Sequence, residues 1–404
     1  MKKNLVISDL FVFLFFSVNL MIILNLPEFI GGILFTHIFE IQILIFVCFA
    51  ISSLNFEQLI KLKLPNFNSD FFLFSILILL FLISSFWINL EPNLKFDAAL
   101  KLISYPINIY FFFFYIPKKL LEKSILVSFL WVVLIFSIIN ALMGLIGIST
   151  GILQNSIFPG HSLGLFKHPN THAFIYTIIF PIILYLYYEK KITITVLILF
   201  SILFFSNLFL TYSRAGFLGF VVGLLTFFFF KSKRTFIFIF LFSVLMSFFF
   251  LSDVSQVKTD SSLPRILLIV SAIQMISSGT SRFLWGYGVN DAIEIFKTEK
   301  VFLGSLEIVP DPHNWILTLG IQFGMLVPIT VFIIVARIFY HGSKKYKSNP
   351  RGEYSNELIL AMSIVLALFI ENFFEALITY PEYFLMPFFL MMLGYIKIIY
   401  AKTG

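Results

Sequence analysis

Charged residues are scarce in this chain: Asp, Glu, Lys and Arg together make up 12% of its 404 residues. Soluble domains carry about 25% charged residues, because a surface that faces water has to be polar. Hydrophobic residues account for 59% of the chain, and Phe alone occurs 56 times. This balance excludes a soluble globular protein and predicts an all-α integral membrane protein, folded as a single polytopic domain over residues 1–404.

Cysteine and clustered acidic residues are also lacking. Cys48 is the single cysteine, so an intrachain disulfide and a cysteine-based metal cluster are excluded. No two Asp residues have the D-x-D spacing of enzymes that bind a nucleotide sugar through a metal. His161, His168 and His172 lie close in sequence, but no carboxylate or cysteine completes a metal site beside them. A metal site there is the less favoured alternative, and we expect neither a metal nor another cofactor.

Long apolar runs are what the sequence has in abundance. A helix needs about 20 apolar residues to cross the hydrocarbon core of a bilayer. Runs of this kind predict about twelve transmembrane helices, which lie near 8–26, 34–54, 71–90, 98–116, 124–147, 171–188, 192–211, 215–230, 235–251, 315–339, 358–378 and 384–400.

Lys and Arg are distributed unevenly between the connections of these predicted spans. The short connections 55–69, 117–123, 231–234 and 341–357 are rich in them, and basic residues concentrate in cytoplasmic loops. The alternation predicts that both termini are cytoplasmic and that 252–314, between the ninth and tenth spans, is a long periplasmic loop. The net charge of +7 comes largely from these basic residues on the cytoplasmic side, which would contact anionic membrane lipids. No nucleic-acid partner is therefore expected.

Two external loops are the places where we expect the active site. The loop 252–314 is polar, apart from the piece Pro264–Ser278, which is long enough for an amphipathic helix in the membrane interface. The loop 148–170 is rich in Gly, His and Pro. Function concentrates in loops that a rigid scaffold holds, so part of the site is predicted in 252–314, among short helices.

Arg214 is the first candidate residue, at the outer end of the seventh span. An Arg between two apolar spans is costly unless it is paired or faces water. The small neighbours Ala215, Gly216 and Gly219 would let another group approach it closely. A role as a mere topology marker is disfavoured, because basic residues are not enriched on the outer side.

His313 is the second candidate, in the sequence PDPHNW that leads into the tenth span. Pro312 is the last helix breaker, so Asn314 is predicted to be the N-cap. The positive end of the helix would then favour a neutral imidazole at His313, which can accept a proton as a general base. An interfacial His without chemistry stays open as the alternative.

Arg282, beside the turn WGYGVN in the long loop, is the third candidate, and alone it reads equally well as a solvated charge. Taken together, two arginines and one base are enough for metal-free glycosyl transfer from a polyprenyl diphosphate. A guanidinium binds diphosphate through two parallel hydrogen bonds and stays charged at physiological pH. The arginines would stabilise the departing diphosphate while the base deprotonates an acceptor hydroxyl.

The segments around these candidates resemble the O-antigen ligase and O-antigen polymerase superfamily of bacterial envelope enzymes. The most specific one is the PHN tripeptide followed by Gly320-x-x-x-Gly324. All four matching segments are GLFKHPNTHAFI (164–175), LTYSRAGFLGF (210–220), FLWGYGVNDAIEIF (283–296) and PDPHNWILTLGIQFGMLVPI (310–329).

The resemblance implies a metal-independent, inverting transfer of a glycan from undecaprenyl diphosphate at the periplasmic face of the bacterial inner membrane. By position, Arg214 and Arg282 would bind the diphosphate, and His313 would be the base or would orient the acceptor. Arg265 is the rival for the second arginine. Three further substrate-binding candidates lie in the matching segments, namely Lys167, Asn170 and Asn314.

The acceptor separates two enzymes with the same motifs. Ligases transfer the glycan to a lipid A–core sugar, and polymerases transfer it to a second lipid-linked repeat unit. The clear PHN motif after a single long loop favours the ligase. A transporter of lipid-linked oligosaccharides is the alternative from another class, but the spans carry few charges and the two halves show no repeat.

Glu371 and Glu375 are carboxylates inside the predicted eleventh span, four residues apart and so on one helix face. Ionisable residues within a membrane are functional candidates by default. In an enzyme they would not contact the substrate themselves but would hold Arg214 or Arg282 in place. In a transporter they would couple protons.

Overall fold

The computed structural model describes most of the chain, and its regular elements are helices, in agreement with the predicted all-α class. The described residues are 37–53, 69–86, 92–151, 160–166, 168–244, 259–289, 312–380 and 385–402, together with Leu14, Ala292, Ile295 and Phe296.

The helices follow the apolar runs because a segment without water around it has to satisfy its backbone hydrogen bonds internally. They are α1 Ile38–Ser53, α2 Ser69–Phe86, α3 Pro92–Asn108, α4 Lys123–Thr150, α5 Pro169–Tyr188, α6 Ile194–Leu210, α7 Arg214–Lys231, α8 233–244, α9 Thr259–Ser277, α10 Thr280–Trp285, α11 Trp315–Phe323, α12 Leu326–Ser348, α13 Ser355–Glu371 and α14 Leu385–Lys402. A π-helical stretch, Ile109–Tyr115, and a short α-helix, Ile116–Leu120, continue α3 towards α4.

Seven helices in the described ranges are long and apolar enough to cross a membrane. Shorter apolar helices at Ile38–Cys48, Phe72–Ser84 and Ile194–Leu210 coincide with three more predicted spans. The predicted spans at 8–26 and, beyond residue 244, at 235–251 lie outside the described residues. The multi-pass membrane character is therefore supported, whereas the number of twelve spans and their orientation stay predictions.

Helices α5, α7 and α13 form the packed centre, and small residues on α7 bring them close together. A Cβ placed on Gly219 would lie 2.6 Å from a carboxylate oxygen of Glu371 and 2.9 Å from Thr177 Cγ2. Small residues are the usual means by which membrane helices approach each other. The groups that approach α7 beside Arg214 are thus the neighbouring helices α5 and α13.

The predicted tenth span, 315–339, is two helices, so the expectation of one continuous helix was wrong. Gly324 separates α11 from α12 and has a φ of +81°, where a Cβ would lie 2.0 Å from the Leu284 carbonyl oxygen. The chain from α10 attaches here: Tyr287 N donates to the Ile321 carbonyl over 2.7 Å, and Gly288 N to the Gln322 carbonyl over 2.9 Å. Hydropathy averages over such a break and does not detect it.

The long loop contains a helix where the sequence predicted one, since α9 covers the piece 264–278. Leu268, Ala272 and Ile276 of α9 share an apolar cluster with Ile321 of α11. Helices α9 and α11 therefore lie against each other. Their depth relative to the membrane stays a prediction.

The predicted eleventh span, 358–378, also ends early, because α13 stops at Glu371. The Asn372 side chain donates to the Leu368 carbonyl over 2.8 Å and accepts from Ile378 N over 3.1 Å, which ends the helix. Residues 372–380 then run as short turns, and Glu375 has an extended backbone with φ −150° and ψ 172°. Glu371 and Glu375 consequently do not share a helix face, contrary to the sequence-based expectation.

A polar network joins four helices at the other end of α13. Lys123 contacts Glu189 over 2.5 Å and Glu357 over 3.5 Å. Asn356 donates to Glu189 over 2.6 Å, and Lys231 donates to Asn356 over 2.7 Å. These contacts fix the ends of α4, α5, α7 and α13 relative to one another.

Candidate functional site

The side chain of Glu375 is the centre of the candidate site. It is 5% exposed and accepts hydrogen bonds from three separate segments. His313 Nδ1 lies 3.1 Å from Oε2, Arg265 Nη2 lies 3.4 Å from Oε1, and Asn170 Nδ2 also donates to Oε1. A buried carboxylate is tolerated only with such partners, so these residues are held together.

Local backbone structure places His313. Asn314 is the N-cap of α11, as predicted, since its Oδ1 accepts from Leu317 N over 3.1 Å. Its Nδ2 donates to the Phe373 carbonyl over 2.8 Å, which ties the start of α11 to the turn before Glu375. His313 itself has a φ of +50°, a left-handed conformation that is uncommon outside glycine and often marks functional positions.

The start of α5 places Asn170. His168 is the N-cap of this helix, and its Nδ1 accepts from Asn170 N over 3.1 Å. Burial lowers the pKa of His168 below its usual value, although the charge of Glu375 opposes the shift. The neighbouring Lys167 lies outside the described residues.

The electrostatics of the centre favour an ionised Glu375. Burial alone would raise the pKa of Glu375. The hydrogen bond from His313 and the charges of His313 and Arg265 outweigh burial, so the pKa of Glu375 lies below its usual value. An ionised carboxylate at Nδ1 of His313 keeps the ring proton on that nitrogen. The lone pair of the neutral ring is then on Nε2, the tautomer that a general base needs.

Arg265, rather than Arg282, is the arginine that the structure brings to His313. Arg282 Nη1 donates to Tyr287 Oη over 2.8 Å and to Ser278 Oγ over 3.1 Å, at the C-terminal end of α11. His313 lies at the opposite, N-terminal end of that nine-residue helix, which is about 13 Å long at 1.5 Å per residue.

Arg214 lies at the same end of the helix bundle as Glu375. It is the first residue of α7, whose N-cap Ser213 accepts from Gly216 N over 3.1 Å. Gly216 packs against Ala173 and Glu371. Ala173 follows Asn170, and Glu371 precedes Glu375, by about one helical turn. Within the described part of the chain, the exposed Arg214 side chain makes no hydrogen bond or ion pair.

Glu371 lies apart from these cations. It is fully buried, and neither carboxylate oxygen has a hydrogen-bond partner in the described residues. The nearby Thr177 hydroxyl donates instead to the Gly216 carbonyl over 3.2 Å. The expected pairing of Glu371 or Glu375 with Arg214 or Arg282 is therefore not what the structure has: Glu375 pairs with Arg265.

The three clustered histidines have separate surroundings. His172 is buried against Tyr176, and its Nδ1 lies 3.0 Å from the Ser162 carbonyl oxygen. His161 Nδ1 lies 3.2 Å from the Thr211 carbonyl oxygen, and His168 faces Glu375. Over the described ranges, no three metal-ligating side chains come close enough to hold an ion.

An apolar cavity of about 60 Å³ lies beside the site, and sequence reasoning gave no indication of it. Trp315, two residues after His313, and Thr379, four residues after Glu375, belong to its wall. The remaining wall comes from apolar side chains of α2, α11, α12 and α14, together with Tyr105, Ile109 and Ile378. The residues are far apart in sequence, so only the fold reveals the cavity.

Comparisons with known proteins bear on this site. Residues 199–332 match the family model described as O-Antigen ligase, which covers Arg214, Arg265, Arg282 and His313 and ends before Glu375. Searches of curated proteins and of solved structures returned no match. The match confirms the superfamily resemblance inferred from the sequence motifs, and over residues 199–332 the chain is similar to the O-antigen ligase family.

Proposed function

We propose that the protein is a ligase-type glycosyltransferase, which moves a glycan from undecaprenyl diphosphate to an acceptor hydroxyl of lipid A–core at the periplasmic face. The observation that carries the proposal is the contact of one buried carboxylate, Glu375, with both His313 and Arg265. A proton acceptor and a cation suited to diphosphate are thereby held side by side, as glycosyl transfer without a metal requires.

In the proposed reaction, His313 Nε2 takes the proton of the acceptor hydroxyl. The hydroxyl oxygen attacks the anomeric carbon of the donor sugar from the face opposite the diphosphate. The bond from that carbon to the phosphate oxygen breaks, and its electron pair leaves with undecaprenyl diphosphate, so the anomeric configuration inverts. Arg265, with Arg214 at the same end of the bundle, stabilises the charge that develops on the leaving group.

The apolar cavity supports a lipid-linked donor. Its wall includes Trp315 and Thr379, each within four residues of a site residue. A polyprenyl chain in this cavity would keep the diphosphate next to Arg265 and out of the hydrocarbon.

Purified protein in nanodiscs, a lipid-diphosphate glycan and two acceptors test the proposal. We expect transfer to lipid A–core, unchanged by EDTA, and a loss of about 10²–10⁴-fold in His313→Ala. His341→Ala, at the far end of α12, is the matched control and should keep the wild-type rate.

Other outcomes identify the alternatives. Elongation of a lipid-linked repeat unit in place of transfer to lipid A–core would make the protein a polymerase. Movement of the lipid-linked glycan across the bilayer without transfer would make it a transporter. Loss of wild-type activity in EDTA would contradict the metal-free scheme and return attention to His161, His168 and His172.

A further inference from the structure

We infer that Glu375 is a positioning residue that couples the binding of the donor diphosphate at Arg265 to proton acceptance by His313. Binding of the donor would thus raise the proton affinity of His313, and this affinity would remain low while the donor is absent. The inference rests on the proposed function and adds a regulation of that site.

The coupling follows from how the two carboxylate oxygens are shared. Oε2 faces His313, whereas Oε1 is shared between Asn170 and Arg265. The Arg265 contact of 3.4 Å is longer than the 2.7–2.9 Å of a strong charged hydrogen bond. Arg265 is also 40% exposed, against 27% for His313. Arg265 is therefore the partner of Glu375 that leaves most easily.

A diphosphate offers Arg265 a stronger partner than Glu375 does. Phosphate oxygens accept two parallel hydrogen bonds from one guanidinium, which the single contact to Oε1 does not provide. When Arg265 turns to the diphosphate, the Glu375 charge loses one of its two cations. In a buried site that charge then acts more strongly on the His313 ring, so the ring holds a proton more firmly.

The coupling has to work in both directions. If a bound diphosphate favours a protonated His313, then a protonated His313 favours diphosphate binding by the same factor. Release of the donor's diphosphate product after transfer would then be assisted when His313 loses its proton to water.

Other charged groups also face Glu375, and each needs to be considered. His168 comes from α5, Arg265 from α9 and Glu371 from α13. Burial lowers the pKa of His168 below its usual value.

The test follows the titration of His313 by NMR, in nanodiscs, with histidine labelled at Cε1. The chain has six histidines, and the signal missing from His313→Ala assigns the right one. Farnesyl diphosphate serves as the probe. In the wild type it should raise the pH midpoint of His313 by about 1, the size of effect expected from an opposite charge nearby.

Variants separate coupling through Glu375 from a direct effect of the probe. In Glu375→Gln the rise of the His313 midpoint caused by the probe should shrink to less than half of the wild-type rise. Glu357 is a buried carboxylate about 21 Å away along α13, so Glu357→Gln should respond as the wild type does. Arg265→Gln should show a raised midpoint before any probe is added. This variant alters a half-exposed side chain, so the absence of a raised midpoint would overturn the inference even if Glu375→Gln does not fold.

Three results would overturn the inference. The first is a His313 midpoint in the wild type that does not change when the probe is added. The second is an equal rise of that midpoint in the wild type and in Glu375→Gln. The third is a midpoint in probe-free Arg265→Gln that equals the midpoint of the wild type. None of these measurements requires turnover. Normal glycan transfer with an insensitive midpoint would reject the coupling alone, whereas absence of transfer by the wild type would reject the proposed function.

Discussion

At the scale of residues, the candidate site depends on one shared carboxylate. His313 and Arg265 were both recognisable in the sequence as a possible base and a possible diphosphate ligand. Their common partner Glu375 was recognisable as a carboxylate that would hold an arginine, but it was expected beside Glu371 on one helix face and next to Arg214 or Arg282 rather than His313 and Arg265. The end of α13 at Glu371 turns Glu375 towards His313, and no periodicity in the sequence indicates that turn.

The two loop arginines should differ in their importance. Arg265→Lys keeps the charge and loses the fork that binds diphosphate through two hydrogen bonds, so we expect kcat/KM for the donor to fall by about 10-fold or more. Arg282→Lys, at the end of α11 opposite His313, should lose less.

Initial rates at varied donor concentration measure this difference, with Arg351→Lys in the turn after α12 as the control. A larger loss in Arg282→Lys than in Arg265→Lys would return the second diphosphate position to Arg282.

Acid should weaken the protein through Glu375. Because the folded-state pKa of Glu375 lies below its usual value, its contribution to stability is present above the unfolded pKa of about 4.3. The contribution is lost as the pH falls through the folded-state pKa. In detergent at pH 7, the wild type should therefore unfold at a higher temperature than Glu375→Gln. The difference between the two unfolding temperatures should disappear as the pH falls below about 4. A gap that stays constant down to pH 3 would argue against an ionised Glu375.

At the scale of elements, the helices were largely predictable and their interruptions were not. The prediction of a span at 171–188 agrees with α5, Pro169–Tyr188, because a window of apolar residues reports the whole helix. The breaks at Gly324 and Asn372 depend on single residues inside apolar windows. Both breaks adjoin the site, so the part of the fold that hydropathy misses is the part that positions the chemistry.

Gly324 should not tolerate a side chain. Gly324→Ala would place a Cβ 2.0 Å from the Leu284 carbonyl oxygen, and the backbone conformation of φ +81° and ψ 162°, essentially confined to glycine, alone costs about 1–3 kcal/mol. We expect a lower unfolding temperature and loss of the contact between α10 and α11. Gly279→Ala is the matched control, since nothing lies within 4 Å of its added Cβ. Equal unfolding temperatures for the two variants would contradict the close approach.

At the scale of the whole molecule, polar side chains gather at two opposite ends of α13. Glu357 lies in the network with Lys123 near its start, and Glu375 follows its end. The sequence predicted this separation from loop charges alone: Lys123 and Lys231 belong to predicted cytoplasmic connections, and His313 to a predicted periplasmic one. Which end faces the periplasm stays a prediction, because charge bias indicates orientation only statistically.

Single cysteines in a Cys48→Ser background test the orientation. A membrane-impermeant maleimide added to intact cells should label Ser277→Cys, at the end of α9, because 252–314 is predicted to be periplasmic. Lys233→Cys should be labelled only after the membrane is opened. The reverse pattern would move the candidate site to the cytoplasm and remove the basis of the proposed function.

The wide sequence separation of the Glu375 contacts has a consequence for biosynthesis. Asn170, Arg265 and His313 precede Glu375 by 205, 110 and 62 residues, so a ribosome makes the residue that unites them last. At about 5–20 residues per second, the arginine and the histidine emerge well before their carboxylate. A nascent chain thus holds its base and its cation without the residue that joins them, and we expect it to be inactive until the eleventh span has been inserted.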